Sequence, residues 1–369
     1  DAVEAGIDYG LNLRLNFDTI TFGNSSTAIG SGRFWRSQPR LALTRGDAIG
    51  WLAHQHRINH LYVYPSHRDH RADLGDLLPA NTPYMLISEA SSGSDQPHLR
   101  AVALILAALR PETKALARES GLIAPTVQML FRRGMPGIES DAAYLSGRAH
   151  PVVFDGKQID LERLLYLANG LAADALPPAI LLTVSDPAAP RARVELFGDG
   201  MTETLFDTPQ AVARLFHGTA QTRTWQASVC DTADPNGRTL RFHWRLLRGD
   251  AAKVRIEPSG PGMCRAEITV AWHDGVEAQG PGTLPGPRLD IGVFADNGAA
   301  LSAPAFLSVV FPPHEARDYA DDGRLLSVDY RERARQGVYA DPALFPTRDW
   351  RDIYHYDGDG RLLGWQRER

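Results

Sequence analysis

The sequence predicts a multi-domain chain. A layered α/β or α+β domain is expected over residues 1–190, an antiparallel β-sandwich over 191–315, and a small β-hairpin appendage over 316–369. Three observations predict this. In the first half, strand-like runs interleave with helical ones. From Pro187 to Pro313 short alternating runs and turns follow one another without a helical period. Near the C-terminus, "YADDGRLLSVDY" (Tyr319–Tyr330) returns as "YDGDGRLLGWQR" (Tyr356–Arg367), an offset of 37 residues.

"LNLRLNFDTITFG" (Leu11–Gly23) alternates apolar and polar positions, as a half-buried antiparallel strand does. Leu43–Ile58 has helical spacing with Thr44 as N-cap. His60–Pro65 and Pro83–Ser88 read as short buried strands. Helices follow over Asp95–Arg110, Ala124–Arg133 and Asp160–Ala173, then a strand at Pro178–Asp186. The helix after Asp95 is apolar nearly all round, which predicts burial. Ser94 is its expected N-cap, and Pro97 fits the first turn. In the repeat, Asp-Gly between amphipathic runs predicts two tight hairpins with Gly323 and Gly360 at positive φ.

At 43% hydrophobic and 22% charged, the chain has the make-up of a folded protein and not of a disordered one. Its formal charge is −5, and no basic run appears among its 39 Lys and Arg residues, so no nucleic-acid partner is expected. No apolar stretch reaches about 18 residues, so no membrane span is expected. A start at Asp1 without a leader is what a mature secreted or periplasmic protein would give. Two cysteines, Cys230 and Cys264, cannot form a zinc site unaided. They are expected on neighbouring strands, cross-linked in an oxidising compartment.

The segment "ASVCDTADPNGRTLRFHWRLLRGD" resembles the PKD and related immunoglobulin-like modules of secreted bacterial proteins, with a strand, an Asp-Pro-Asn-Gly turn and a Trp-bearing strand in that order. The resemblance extends over about residues 208–313. It implies an Ig-like sandwich with Trp244 in its core, and a spacer or binding platform in an exported protein. Trp272 is expected to be buried as well. The two C-terminal repeats resemble the Tyr-Asp repeats of bacterial surface proteins. Gly23–Arg40, Tyr64–Gln96 and Ala124–Phe154 loosely resemble secreted bacterial proteins of unknown activity, which transfers no catalytic residue.

Three stretches could carry chemistry. In "SEASSGSDQP", Ser91, Ser92 and Ser94 with Asp95 and Gln96 form a small-residue turn at a helix N-terminus, able to present N–H groups to an anion or oxyanion. "YPSHRDHRADLGD" gathers His67, Arg68, Asp69 and His70 with Asp73 and Asp76. Imidazole and carboxylate in alternation supply an acid/base pair or ligands for a divalent metal at His67, Asp69 and His70. Both loops leave strand ends, where open α/β sheets carry their sites. In the third stretch, Trp35 and Arg36 could stack on a sugar or bind a carboxylate.

G-x-S-x-G, H-E-x-x-H, P-loop and dinucleotide motifs are absent from the sequence. Glu139, Asp141, Asp155 and Asp160 are further candidates for a glycosidase carboxylate pair. His54, His56 and His60 read as surface or packing residues. The expected function is a secreted hydrolase or lyase acting on a polysaccharide or similar extracellular polymer. Its catalytic candidates are His67, Asp69, His70, Ser94 and Asp95. Its substrate contacts would be Ser91, Ser92, Gln96, Trp35, Arg36 and Arg68. The alternative is a non-catalytic extracellular binding or adhesion protein, in which the same loops are structural.

Overall fold

The computed structural model describes residues 20–24, 40, 42–44, 46–67, 76–91, 93–190, 202–273, 288–331, 340–342 and 344–369. A few helices accompany one parallel sheet, and the remainder is rich in antiparallel strands. The parallel sheet contains β1 (Thr21–Asn24), β2 (His60–Pro65), β3 (Met85–Ser88) and β4 (Val153–Phe154), in that order. β2 and β3 are buried at every residue, which explains their unbroken apolar sequences. The end of the Leu11–Gly23 run therefore pairs in parallel, not antiparallel as expected; residues 11–19 lie outside the described set. The physical reason is the crossover: α1 (Gly46–Arg57) carries the chain back before β2 begins. Before that helix, the Thr44 hydroxyl donates backwards to the Arg40 carbonyl, 3.0 Å away.

Between β3 and β4 lie α2 (Gln96–Ala108), α3 (Pro111–Glu119), α4 (Ile123–Arg133) and the short α5 (Asp141–Tyr144); α6 (Leu161–Gly170) follows β4. α4 is buried from Ile123 through Arg132, and its Gln128 donates to the Met85 carbonyl at the start of β3. α2 is not buried all round as its composition suggested. His98, Ala101, Val102, Ile105 and Leu106 face the core, while Gln96, Arg100 and Ala107 are exposed. Glutamine, arginine and alanine on the outer face favour helix without requiring burial.

The β-rich part has two sheets. An outer sheet orders β10 (Val254–Ser259), β11 (Arg265–Ala271), β8 (Thr222–Ser228) and β5 (Thr183–Ser185). A central sheet orders β6 (Thr204–Thr208), β7 (Ala211–Leu215), β13 (Ala305–Val310), β12 (Arg288–Asp296) and β9 (Arg241–Arg248). They share one core in which Trp225, Ile268 and Val270 of the outer sheet meet Val293, Leu307 and Val309 of the central one. Trp244 and Trp272 are buried as expected, yet the deepest indole is Trp225. The central sheet is not wholly antiparallel, because β7 and β13 run parallel. Their connection passes through the outer sheet and β12, which permits that direction.

The second face of the central sheet is buried as well. Phe294 joins the core of α2 and α4, and Ala211 and Ala213 join that of α1 and β2. Polar ties cross this junction. Ser308 donates to Asp290 at 2.6 Å and accepts from the Asn81 amide. Arg288 bonds Asp290 and the Leu78 carbonyl, and the Tyr84 hydroxyl sits between Thr208 and the Gln210 amide. The central sheet is thus a middle layer between the outer sheet and the parallel-sheet unit.

Cys230 and Cys264 form a disulfide with Cα atoms 4.9 Å apart, at the adjoining ends of β8 and β11. The C-terminal meander orders β14 (Ala316–Tyr319), β15 (Leu325–Asp329), β16 (Arg351–Tyr356) and β17 (Leu362–Glu368). Gly323 and Gly360 have φ values of 82° and 79°, as the repeat predicts. The turns are not the two-residue kind. Ala320 bonds Arg324 and Asp357 bonds Arg361, enclosing three residues whose last is the left-handed glycine.

Several buried histidines must stay neutral in this interior. Burial lowers His56 to about 3. Burial also lowers His217 to about 4, outweighing the nearby Glu315 carboxylate. Their unfolded value is 6.5, so the unfolded chain binds more protons as pH falls below it. Each histidine contributes stability that is present above 6.5 and lost below it, at about 1.4 kcal/mol per pH unit. Urea midpoints should therefore fall between pH 7.5 and 5.5, and His217→Gln should reduce that fall. An unchanged slope in the variant would show that His217 plays no part in it.

Candidate functional site

The ends of β2, β3 and β4 lie side by side at the carboxyl edge of the parallel sheet, and each is followed by polar residues. Pro65 closes β2. The Ser66 amide donates to the Ser88 carbonyl at 2.9 Å, and the Ser66 carbonyl accepts from the Asp76 amide at 3.0 Å. The His67 amide donates to the Ala90 carbonyl at 3.1 Å, so the two loops singled out in the sequence meet through their backbones. His67 is 1% exposed and holds φ at 47°, an uncommon conformation for a residue with a side chain. The Ser66 hydroxyl is fully buried and has no hydrogen-bond partner among the described residues.

After β3 the chain turns tightly. Ser88 Oγ and Ser94 Oγ are 2.7 Å apart. The Ser94 amide donates to the Ser91 carbonyl, Gln96 to Gly93, and Gly93 to Asp95 Oδ1 at 3.0 Å. The expected cap is therefore displaced by one residue: Asp95 is the N-cap position, and the Ser94 hydroxyl is engaged with Ser88. The expected anion cradle changes too. The amides of Gly93, Ser94 and Gln96 already donate within the loop, so they are not free to hold an oxyanion.

His98, in the first turn of α2, completes the edge. Its Nδ1 lies 3.1 Å from the Ser94 carbonyl, which only an N–H at that nitrogen can satisfy. The ring stacks on Phe131 at 5.8 Å. Burial lowers its pKa, outweighing the Glu89 and Asp95 carboxylates and the Ser94 and Phe154 backbone, which favour the charged form. Glu89 accepts from the Gly156 amide at 3.1 Å, tying the end of β3 to the end of β4. A side chain at Gly156 would press on His98 and Pro97, with 3.3 Å to each.

The structure thus brings His67, Ser91, Ser94 and Asp95 to one edge, with Gln96 exposed at its rim. Trp35, Arg36, Arg68, Asp69, His70 and Ser92 lie outside the described residues, as does Asp73. Of the three expected metal ligands only His67 is described, and no group of three His, Cys, Asp or Glu suited to a metal occurs among the described residues. The glycosidase carboxylates have structural tasks. Glu139 accepts from Gly137, Asp141 pairs with Arg133, Asp155 accepts from Lys157, and Asp160 caps α6. His56 and His60 are buried packing residues, the former 5.2 Å from the Tyr84 ring.

Sequence reasoning missed Ser66, Ser88, Glu89 and His98. Ser66 and Ser88 had a signal, since each stands at the point where an apolar strand gives way to a polar loop. His98 had none, because it reads as one more residue of an apolar helix.

No family model matches this chain, and no curated protein sequence does. Among solved structures, a nucleoside hydrolase-related hypothetical protein from Saccharophagus degradans, associated with carbohydrate metabolism, aligns at 11% identity and a TM-score of 0.23. The alignment covers 62% of this chain and 62% of that one, so less than two thirds of that protein is spanned. Domains 5–6 of the S-layer protein SbsC align at 12% identity and a TM-score of 0.14, over 51% of this chain and 67% of that one. Similarity at these scores assigns neither a fold nor an activity to this chain.

Proposed function

We propose that the protein is a secreted or periplasmic hydrolase or lyase of an extracellular glycan or similar polymer, acting at the carboxyl edge of its parallel sheet. One observation carries the reading: polar residues after adjacent parallel strands interlock at one edge, with His67, His98, Ser66, Ser88 and Ser94 among them. Imidazoles and hydroxyls gathered at one sheet edge are the equipment for proton transfer to or from a reacting oxygen. In this reading residues 1–190 are the functional domain. The PKD-like or Ig-like module and the Tyr-Asp hairpins are accessory platforms. The shared core of the two sheets supports such a module. The Cys230–Cys264 bond joins neighbouring strands of one sheet, unlike the inter-sheet bridge of antibody domains. That bond also supports an oxidising compartment.

The test is a reducing-end and unsaturated-product assay on a panel of polysaccharides. His67→Asn removes the imidazole while keeping a residue that tolerates left-handed backbone. This variant and Ser94→Ala should each lower the rate by roughly 10²-fold or more. Full activity in both would refute the edge as the site. A protein that binds a polymer of the panel without cleaving it would favour the adhesion reading, which the internally bonded Ser91–Gln96 turn supports.

A further inference from the structure

A hollow of about 780 Å³ opens between α4, α6 and the turn that follows β12. It shares no residue with the strand edge. We propose that it binds a saccharide, with Tyr166 as a stacking platform and Asp141 and Arg110 as partners for hydroxyl groups. The size suits a small ligand. Leu301, Leu130 and Met129 line it and are nearly fully buried, so its floor is rigid and apolar. Tyr166 stands at the wall with 79% of its surface exposed, an aromatic ring left largely open by the described residues.

The formal charges of the wall balance, Arg110 and Arg133 against Asp141 and Asp296. Arg133 pairs with Asp141 at 2.6 Å, and His243 Nε2 lies 3.3 Å from Asp296. The Asp296 turn is closed further by the Gly298 amide. A strongly charged ligand would therefore meet little net field. Open positions remain for a neutral polar one. Arg133 holds one oxygen of Asp141, leaving the other to accept, and the Asp141 side chain is 71% exposed. Arg110 is oriented through its Nε, which donates to the Asn169 carbonyl at 2.7 Å, and its terminal amino groups can donate.

A sugar ring matches this arrangement. Its C–H face is apolar and packs on an aromatic ring, while its hydroxyls need a carboxylate acceptor and a guanidinium donor on the wall of the same hollow. An aliphatic ligand would leave Asp141 and Arg110 without use, and a flat aromatic one would offer them no hydroxyl pair. The site needs no catalytic group. It would hold a polymer chain independently of any reaction at the strand edge.

The experiment is titration calorimetry of the full chain with cello-, malto-, xylo- and chito-oligosaccharides. At least one should bind, and Tyr166→Ala and Asp141→Asn should each weaken binding about tenfold or more. Tyr166→Phe should retain it, because the ring face is kept. Tyr166 is so exposed that its replacement leaves the fold intact, which the thermal midpoint verifies. Binding of none of these oligosaccharides by the native chain would overturn the proposal, as would equal affinity in Tyr166→Ala. Loss of binding in Ser94→Ala but not in Tyr166→Ala would place the glycan at the strand edge and overturn this proposal while sparing the other.

Discussion

Replacing Arg317 with alanine should destabilise the protein by about 3–5 kcal/mol, the usual cost of leaving one partner of a buried ion pair alone. Arg317 lies in β14, where the chain passes from the central sheet into the C-terminal meander. Its side chain is 2% exposed and pairs at 2.7 Å with Glu315, itself 6% exposed. It donates to the Gly218 carbonyl at 2.7 Å and to the Tyr319 hydroxyl at 3.2 Å. Its guanidinium lies 3.8 Å from the centre of the Trp272 ring. Burial alone would raise the Glu315 pKa, but the Arg317 cation brings it below the ordinary 4.5. The native Glu315 therefore contributes stability that is present above 4.5 and lost as pH falls through its lowered value.

Without Arg317 the burial penalty is no longer offset, and the carboxyl must take up a proton on folding. The defect relative to the native chain should then be larger at pH 7.5 than at pH 5.5. Adding Glu315→Gln should recover part of the loss, since an amide carries no charge to strand. Urea unfolding of the single and double variants at both pH values checks this. A single variant within about 1 kcal/mol of the native chain would show that the pair behaves as a surface salt bridge does.

The joint around Arg317 illustrates which parts of this molecule could be read in its sequence. Local chemistry was readable. Left-handed glycines were foreseen at 323 and 360, buried indoles at 244 and 272, and proximity of Cys230 to Cys264, because each depends on a few neighbouring residues. The three-residue hairpin loops were not, since Asp-Gly marks the turn but not the register of the strands that flank it. The middle-layer role of the central sheet was also missed. β12, "RLDIGVFAD", is buried at eight of its nine positions, including Arg288 and Asp290, whose charges neutralise each other at 2.8 Å. A sequence shows such charges as solvent-facing until the partner element is known.

The same limit governed the site. Two post-strand loops could be placed at one sheet edge because strand ends are legible. That the Gly93, Ser94 and Gln96 amides donate within the turn could not, since a small-residue turn can either hold a ligand or close on itself. His98 depended on packing against Phe131, which follows it by 33 residues and lies on a different helix.

Removing the disulfide, by Cys230→Ala with Cys264→Ala, should cost about 3–4 kcal/mol. The bond closes a separation of 34 residues, and in the chain-entropy model a loop of that length removes about this much freedom from the unfolded state. The native arrangement does not depend on the bond, because the ladder also holds these strand ends. The Val229 amide donates to the Cys264 carbonyl at 2.8 Å, and Ser228 pairs with Arg265 in register. The variant should therefore keep its fold and near-ultraviolet spectrum while its urea midpoint falls. A reductant should lower the native midpoint to about that of the variant and leave the variant unchanged. Equal midpoints with and without reductant would show that the reduced chain loses nothing and that the strand ladder alone sets the stability. A chain that needs this bond gains its full stability only where thiols are oxidised, so protein directed to a periplasm should titrate no free thiol when denatured, and protein kept in a reducing cytosol should titrate both and unfold at the lower midpoint.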